Sequence, residues 1–334
     1  MNKMGKQSIL YKNKPCVRGG FAVVGPKEGQ GNFGRYFQKV LKDDLYGENS
    51  YEAAESKMMQ MAFWGAVEDA KLQNNDIDVF VAGDLMNQII SSSFAARSFD
   101  VPYIGVFGAC STMAESLLIG ASLVDGEYCK NVACATGSHF SSVEKQFRYP
   151  LELGTQRPPT SQWTVTGAGC TILSNIVGNI YIECATIGQV VDWDVVDVNN
   201  MGGAMAPAAA ETLKAHFADL GREPDEYDLI LTGDLGKMGS EVLLDLCEFN
   251  GIKLGNNYSD CGQMMYTSEQ KTFMGGSGCG CSASVLNSYV LKRMRLGELK
   301  SVLFVATGAL MSPVSSQQGN SIPCIAHAVV LKRR

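Results

Sequence analysis

Apolar residues recur at helical spacing through residues 53–70, with Met58, Met61, Ala62 and Val67 on one face, so an amphipathic helix is predicted there. The polar pair Asn74 and Asn75 ends it, and residues 78–82, Asp-Val-Phe-Val-Ala, apolar after the first position, read as a buried strand. A helical segment near residues 92–97, a short strand at 103–107, a helix at 111–124 and a strand at 131–135 follow, and residues 206–220 form a further helical run. Strands alternating with helices and punctuated by 36 glycines define an α/β sheet protein.

The pattern repeats. Asp78-Val-Phe-Val-Ala-Gly-Asp84 returns 150 residues later as Asp228-Leu-Ile-Leu-Thr-Gly-Asp234. Gly126-Glu127 leading to Ala135-Thr136-Gly137 returns 171 residues later as Gly297-Glu298 leading to Ala306-Thr307-Gly308, an offset that also lays Cys110-Ser111 on Cys281-Ser282. Two strand-plus-helix units in the same order predict a duplicated fold with halves at residues 1–180 and 181–334. Ligand chemistry is expected between the halves, where strand ends and helix starts converge.

Composition narrows the function classes. With 334 residues, 46% hydrophobic and 19% charged, the chain can bury a large core and is not disordered. No apolar stretch reaches the roughly 18 residues of a membrane span. The basic N-terminal 20 residues lack the apolar block of a secretory signal, so folding in a reducing, cytosolic compartment is expected. There the 11 cysteines read as free thiols, mostly small core residues. No CxxC occurs, and His139, His216 and His327 are scattered, so no Cys/His metal site and no cofactor are predicted. A net charge of −6 without a basic, aromatic-interleaved stripe argues against nucleic acid.

The candidate chemistry centres on Gly108-Ala109-Cys110-Ser111-Thr112. Small residues let the chain turn sharply from strand into helix and leave Cys110 at a helix start, where unpaired N–H groups favour a thiolate or a bound anion. With the duplication, this turn resembles the thiolase superfamily along essentially the whole chain. The resemblance implies a five-layer αβαβα fold with Cys110 at the nucleophile position. Thiolases complete the site with histidine-containing partners from the second half, but here residues 275–281 contain no His or Asn, and residues 232–234 no His. A thiolase fold with lost catalytic machinery is therefore expected.

Three longer strings, residues 22–29 (Ala-Val-Val-Gly-Pro-Lys-Glu-Gly), 144–150 (Glu-Lys-Gln-Phe-Arg-Tyr-Pro) and 162–169 (Gln-Trp-Thr-Val-Thr-Gly-Ala-Gly), resemble the stage V sporulation protein AD family of endospore-forming bacteria. That resemblance implies a non-enzymatic protein binding dipicolinic acid, alone or as its calcium chelate, for uptake into the forespore and release on germination. It also implies a forespore or spore location, peripheral to the inner membrane through membrane proteins of the same operon. Dipicolinate is a planar ring with two carboxylates, so its pocket needs N–H and O–H donors and a flat apolar wall. Cys110, Ser111, Thr136, Ser138, His139, Asp234, Ser277 and Cys279 are the candidate ligand-binding residues, with Ser282 a further hydroxyl.

Simpler roles stand beside these. Cys110 could merely fill a tight turn, and Cys279 and Cys281 could serve close packing. Asp84 and Asp234 could hold calcium or cap the loops after their strands. His139 could face the pocket or an interface; His216 reads as an ordinary helix residue. Arg148 and Arg157 could clamp a carboxylate or face a partner, and Trp163 could wall the pocket or be buried. An active acyltransferase using Cys110 is the alternative function, and a scaffold without ligand a third. The thiolase resemblance implies a homodimer paired through the strand at residues 131–135, which here is apolar and lacks edge-protecting charges and prolines.

Overall fold

The computed structural model describes residues 2–147 and 156–334. Ten strands form the main path of one large mixed sheet. In chain order they are β1 (Cys16–Val24), β2 (Val79–Asp84), β3 (Tyr103–Gly105), β4 (Asn131–Ser138), β5 (Gly167–Ser174), β6 (Ile180–Thr186), β7 (Leu229–Thr232), β8 (Tyr258–Asp260), β9 (Ser301–Ala309) and β10 (Cys324–Arg333). Their spatial order is β8-β7-β9-β10-β6-β1-β5-β4-β2-β3, so reading outward from the centre both sides run first, fifth, fourth, second, third. The centre is thin, with Tyr181 opposite Cys16 as the one paired position between β6 and β1.

The two sides share small devices as well as strand order. Asp78 accepts the backbone N–H groups of Lys130 and Asn131, and Asp228 those of Lys300 and Ser301. Reciprocal capping boxes close the 3₁₀ turns at Asn74–Asp76 and Pro224–Glu226, which lead into β2 and β7.

Strand alternation divides the core into three slabs. In β2, Val79 and Val81 face the central slab while Phe80 and Ala82 face outward. In β9, Val302, Phe304 and Ala306 face the centre while Leu303 and Val305 face the other outer slab. The first outer slab is closed by α1 (Tyr51–Asp69), which Ser50 caps by accepting from Ala53 N–H, and whose Phe63 stacks on Phe99 at 3.9 Å. The central slab holds α2 (Thr112–Asp125), whose buried Met113, Leu117, Ala121 and Val124 lie between the two sides of the sheet. Beyond α3 (Phe140–Phe147), the second outer slab is closed by α4 (Met201–Leu220) and α5 (Gly236–Phe249). These layers make the five-layer, thiolase-like α/β arrangement.

Two expectations are corrected. The helix read at 206–220 begins at Met201, because Asn200 caps it and Gly202 and Gly203 act as packing residues rather than breakers. A Cβ on Gly202 would stand 2.1 Å from Leu235 O. The strand at residues 131–135 is not an open edge: it is interior, parallel to β2 and antiparallel to β5. The open edges of the main path are β3 and β8. All the cysteines are free, and only Cys129 is not buried. Among the described residues no helix is long and apolar enough to cross a membrane, and no cluster of three or more His, Cys, Asp or Glu could hold a metal ion.

Close backbone approach fixes where the Cys110 turn sits. A Cβ on Gly308, near the end of β9, would lie 2.1 Å from Gly108 O and 3.0 Å from Ser111 N. Gly308→Ala is therefore expected to destabilise the protein by about 1–3 kcal/mol through forced displacement of that turn. Gly178→Ala meets only ordinary contacts beyond 3.4 Å and should stay within about 0.5 kcal/mol of wild type; urea unfolding measures both.

Candidate functional site

The chain enters the site from β3 through a sharp turn in which Ala109 adopts a left-handed backbone, φ +51°. Three bonds hold that conformation: Ser111 Oγ donates to Gly108 O at 2.6 Å, Thr112 Oγ1 donates to Ala109 O at 2.6 Å, and Gly108 N–H donates to Thr112 Oγ1 at 3.2 Å. Cys110 emerges at the head of α2, 6% exposed. A second turn comes from the other half, where Gly278 (φ +94°) leads into α6 (Cys279–Val285). Gly280 N–H donates to Ser138 Oγ at 3.1 Å, and a Cβ on Gly280 would lie 2.4 Å from Gly167 O.

Asp234 holds the second turn. Its carboxylate accepts from Gly278 N–H at 2.8 Å, Ser277 Oγ at 3.2 Å and Thr307 Oγ1 at 3.0 Å. Burial raises the Asp234 carboxyl to about 7. Burial first, then the neighbouring Asp234 and Cys279, push the Cys110 thiol well above its ordinary range. Cys110 thus sits at a helix start as a protonated thiol.

Above Cys110 opens a cleft of about 660 Å³, part of it open to solvent. Its apolar walls include Leu85, Phe107, Val143, Phe147, Met201 and Met311, and its polar lining includes Glu144, Gln162, Thr164, Asn199 and Ser277. Gln162 is fixed by donating Nε2 to Asp234 O at 2.7 Å and Gly276 O at 2.8 Å. Phe107 is 45% exposed, a flat ring at the mouth.

Of the sequence candidates, Cys110 and Ser277 line this cleft. Asp234 lies beneath them, and Cys279 packs with Cys110 while its thiol donates to Gly137 O at 3.0 Å. Ser111, Thr136 and Ser138 are buried and spend their hydroxyls on backbone carbonyls, of Gly108, Gly83 and Val165. Ser282 likewise donates to Cys279 O. His139 is buried with Nε2 at 2.8 Å from Asp44 O and Nδ1 accepting Ser141 N–H, and burial lowers its pKa. Cys281 lies in the central core.

Asp84 caps its loop by accepting from Met86 and Ser92 N–H. In the second half Asp260 does that work, accepting from Leu235, Gly236 and Gln263 N–H, which leaves Asp234 for the second turn. Trp163 is half-buried and stacked on Phe140 at 3.9 Å. His216 is a buried residue of α4, its ring nitrogens 2.7 Å from the hydroxyls of Thr186 and Tyr227. Arg148 lies outside the described residues. Sequence reasoning missed Phe107, Asn199, Met201 and Met311 as wall residues; Glu144 and Gln162 were signalled only by opening two of the idiosyncratic strings.

A cysteine-bearing strand-to-helix turn, set against its counterpart from the other half of a five-layer α/β body, defines a thiolase-like protein. Solved structures agree on the fold. Residues covering 96% of this chain superpose on 99% of acetamide-bound OleA from Xanthomonas campestris with a TM-score of 0.63 at 14% identity. Residues covering 95% superpose on 99% of 3-oxoacyl-[acyl-carrier-protein] synthase III from Aquifex aeolicus VF5 with a TM-score of 0.56 at 12% identity. Within that class the chain belongs to the Stage V sporulation protein AD (SpoVAD) family, whose profile matches residues 5–332. It is 44% identical over 333 residues to Stage V sporulation protein AD of Bacillus subtilis (strain 168), spanning 100% of this chain and 98% of that one.

The raised Asp234 carboxyl has a signed consequence. Between its ordinary value, about 4, and about 7, the folded chain holds a proton that the unfolded chain has released, so this group's contribution to stability falls as pH rises. In urea titrations the stability of wild type relative to Asp234→Asn is expected to decline from about pH 4 to about pH 7 and then level off. A difference independent of pH would mean that the carboxyl titrates normally.

Proposed function

We propose that the cleft over Cys110 binds dipicolinic acid, free or as its calcium chelate, without chemistry, in a protein that serves uptake of the compound into the forespore and its release on germination. The observation that carries this reading is the place of Cys110, buried against Cys279 beneath apolar walls that include the flat Phe107 ring, where burial pushes its thiol up. A nucleophilic cysteine needs the opposite, a lowered pKa beside a base. Neither residues 232–234 nor residues 275–281 bring a His or Asn to it. A pyridine ring suits the walls, and Ser277 and Asn199 offer polar contacts. The sporulation family and the 44% identical relative support a spore location; membrane proteins of the same operon are the partners this reading proposes.

The acyltransferase alternative keeps one supporting observation: the left-handed Ala109 before Cys110, since strained backbone clusters at reactive turns. Calorimetric titration with dipicolinate, with and without calcium, separates the two. Saturable binding is expected, about tenfold weaker in Phe107→Ala, with no acylation of Cys110 by an acyl thioester. Absence of binding together with a labelled Cys110 would install the enzyme reading.

The halves at residues 1–180 and 181–334 are read as products of duplication, on the shared strand order and turn devices. The homodimer is now assigned to the open edge at β3, where Ile90, Phe94, Ile104 and Phe107 are all exposed. Light scattering is expected to give a dimer for wild type and a monomer for Ile104→Lys; a wild-type monomer would remove this assignment.

A further inference from the structure

Arg157 carries an unexplained pair of donors. Its side chain is 6% exposed, and its Nη1 donates to Glu144 Oε1 at 3.1 Å. Nε and Nη2 are buried and have no hydrogen-bond partner among the described residues. The guanidinium lies 5.1 Å from the Trp163 ring centre and 5.7 Å from that of Phe140. Those rings are stacked on each other at 3.9 Å, so the guanidinium lies beside the rim of the pair, and its N–H groups take further acceptors in its own plane. Nε and Nη2 are the adjacent nitrogens along one edge, with parallel N–H bonds, the fork that a carboxylate caps with two hydrogen bonds. Burying such donors unpaired is costly, which gives the edge a strong demand for an acceptor.

Place in the fold ties this edge to the cleft. Glu144, which shares the guanidinium, lines the cleft, as do Gln162 and Thr164 on either side of Trp163. No Lys or Arg is among the described lining residues; Arg157, one side chain behind the wall, is held at this site by its contact with the lining residue Glu144. Lys27 stands over the same Trp163 ring at 4.1 Å, with its ammonium donating to Gln270 O. We propose that the Nε–Nη2 edge of Arg157 is a carboxylate receptor for the ligand of the cleft, Glu144 yielding room as the ligand's carboxylate joins the shared guanidinium. This rests on the reading of the cleft as a dipicolinate site and adds the residue that selects an acid over a neutral ring.

The test uses the full-length chain. Arg157→Gln and Arg157→Lys are each expected to bind dipicolinate at least tenfold more weakly than wild type, because lysine keeps the charge but loses the fork. Binding of the neutral isostere pyridine-2,6-dicarboxamide should change less than threefold; an equal loss for both ligands would reduce Arg157 to a prop for Glu144 and overturn the proposal. The Nε–H resonance of Arg157, assigned in the wild-type protein by its through-space contacts to the Trp163 and Phe140 rings, reads the contact directly in the unaltered protein and keeps the test valid if a variant fails to fold. It should move downfield with dipicolinate and with benzoate as a single-carboxylate probe. No movement with either carboxylate overturns the proposal. Movement with benzoate, in a protein that binds no dipicolinate with or without calcium, upholds the receptor and removes the dipicolinate reading.

Discussion

The buried carboxylate of Asp234 is the constraint on which the site depends. A carboxylate removed from water is costly unless donors surround it, and here the donors come from the Ser277–Gly278 turn and from Thr307 on β9. The first half reaches the same point through Gln162, which donates to the backbone carbonyls of Asp234 and Gly276 where the cleft opens. The approach is possible because glycine stands wherever backbone meets backbone. A Cβ at position 308 would meet the first turn, and one at position 280 would meet β5.

Burial, with the same carboxylate nearby, decides the character of Cys110. A helix start favours a thiolate by about 0.3–1 kcal/mol at the surface and up to about 2 in partly buried settings. Desolvation of a fully buried group can move a pKa by up to about 3–5 units, at roughly 1.36 kcal/mol per unit. Burial wins by magnitude, and the negative partner adds to it in the same direction. Position at a helix start is thus compatible with a thiol that has no nucleophilic role.

Much of the fold was legible because its signals are local and periodic. The strand read at 78–82 and its copy became β2 and β7, and the helices at 53–70 and 111–124 appear within a residue or two of their expected ends. Pairing was not legible. The apolar stretch at 131–135 looked like an unprotected edge because an interior strand flanked on both sides has the same composition. The site was partly legible. Cys110, Asp234 and Ser277 lie at strand ends and helix starts, where the repeat predicted convergence. Thr136, Ser138 and His139 share that placement, but their polar atoms are consumed by neighbouring backbone, a matter of side-chain direction that strand-end position does not encode. The walls at Phe107, Met201 and Met311 come from distant segments and carry no motif.

Where the duplicated halves depart from each other is where the chemistry lies. Asp84 and Asp234 occupy matching positions, yet Asp84 caps its own loop, while in the second half Asp260 has taken over the cap and freed Asp234 to face Cys110. Cys110 and Cys281 are matched in the repeat, yet Cys110 borders the cleft and Cys281 is enclosed in the core. Symmetry supplies two turns aimed at one another, which is a scaffold property. A pocket for a single ligand needs unlike sides, and the halves differ in which aspartate holds the loop after the strand, Asp84 in the first and Asp260 in the second.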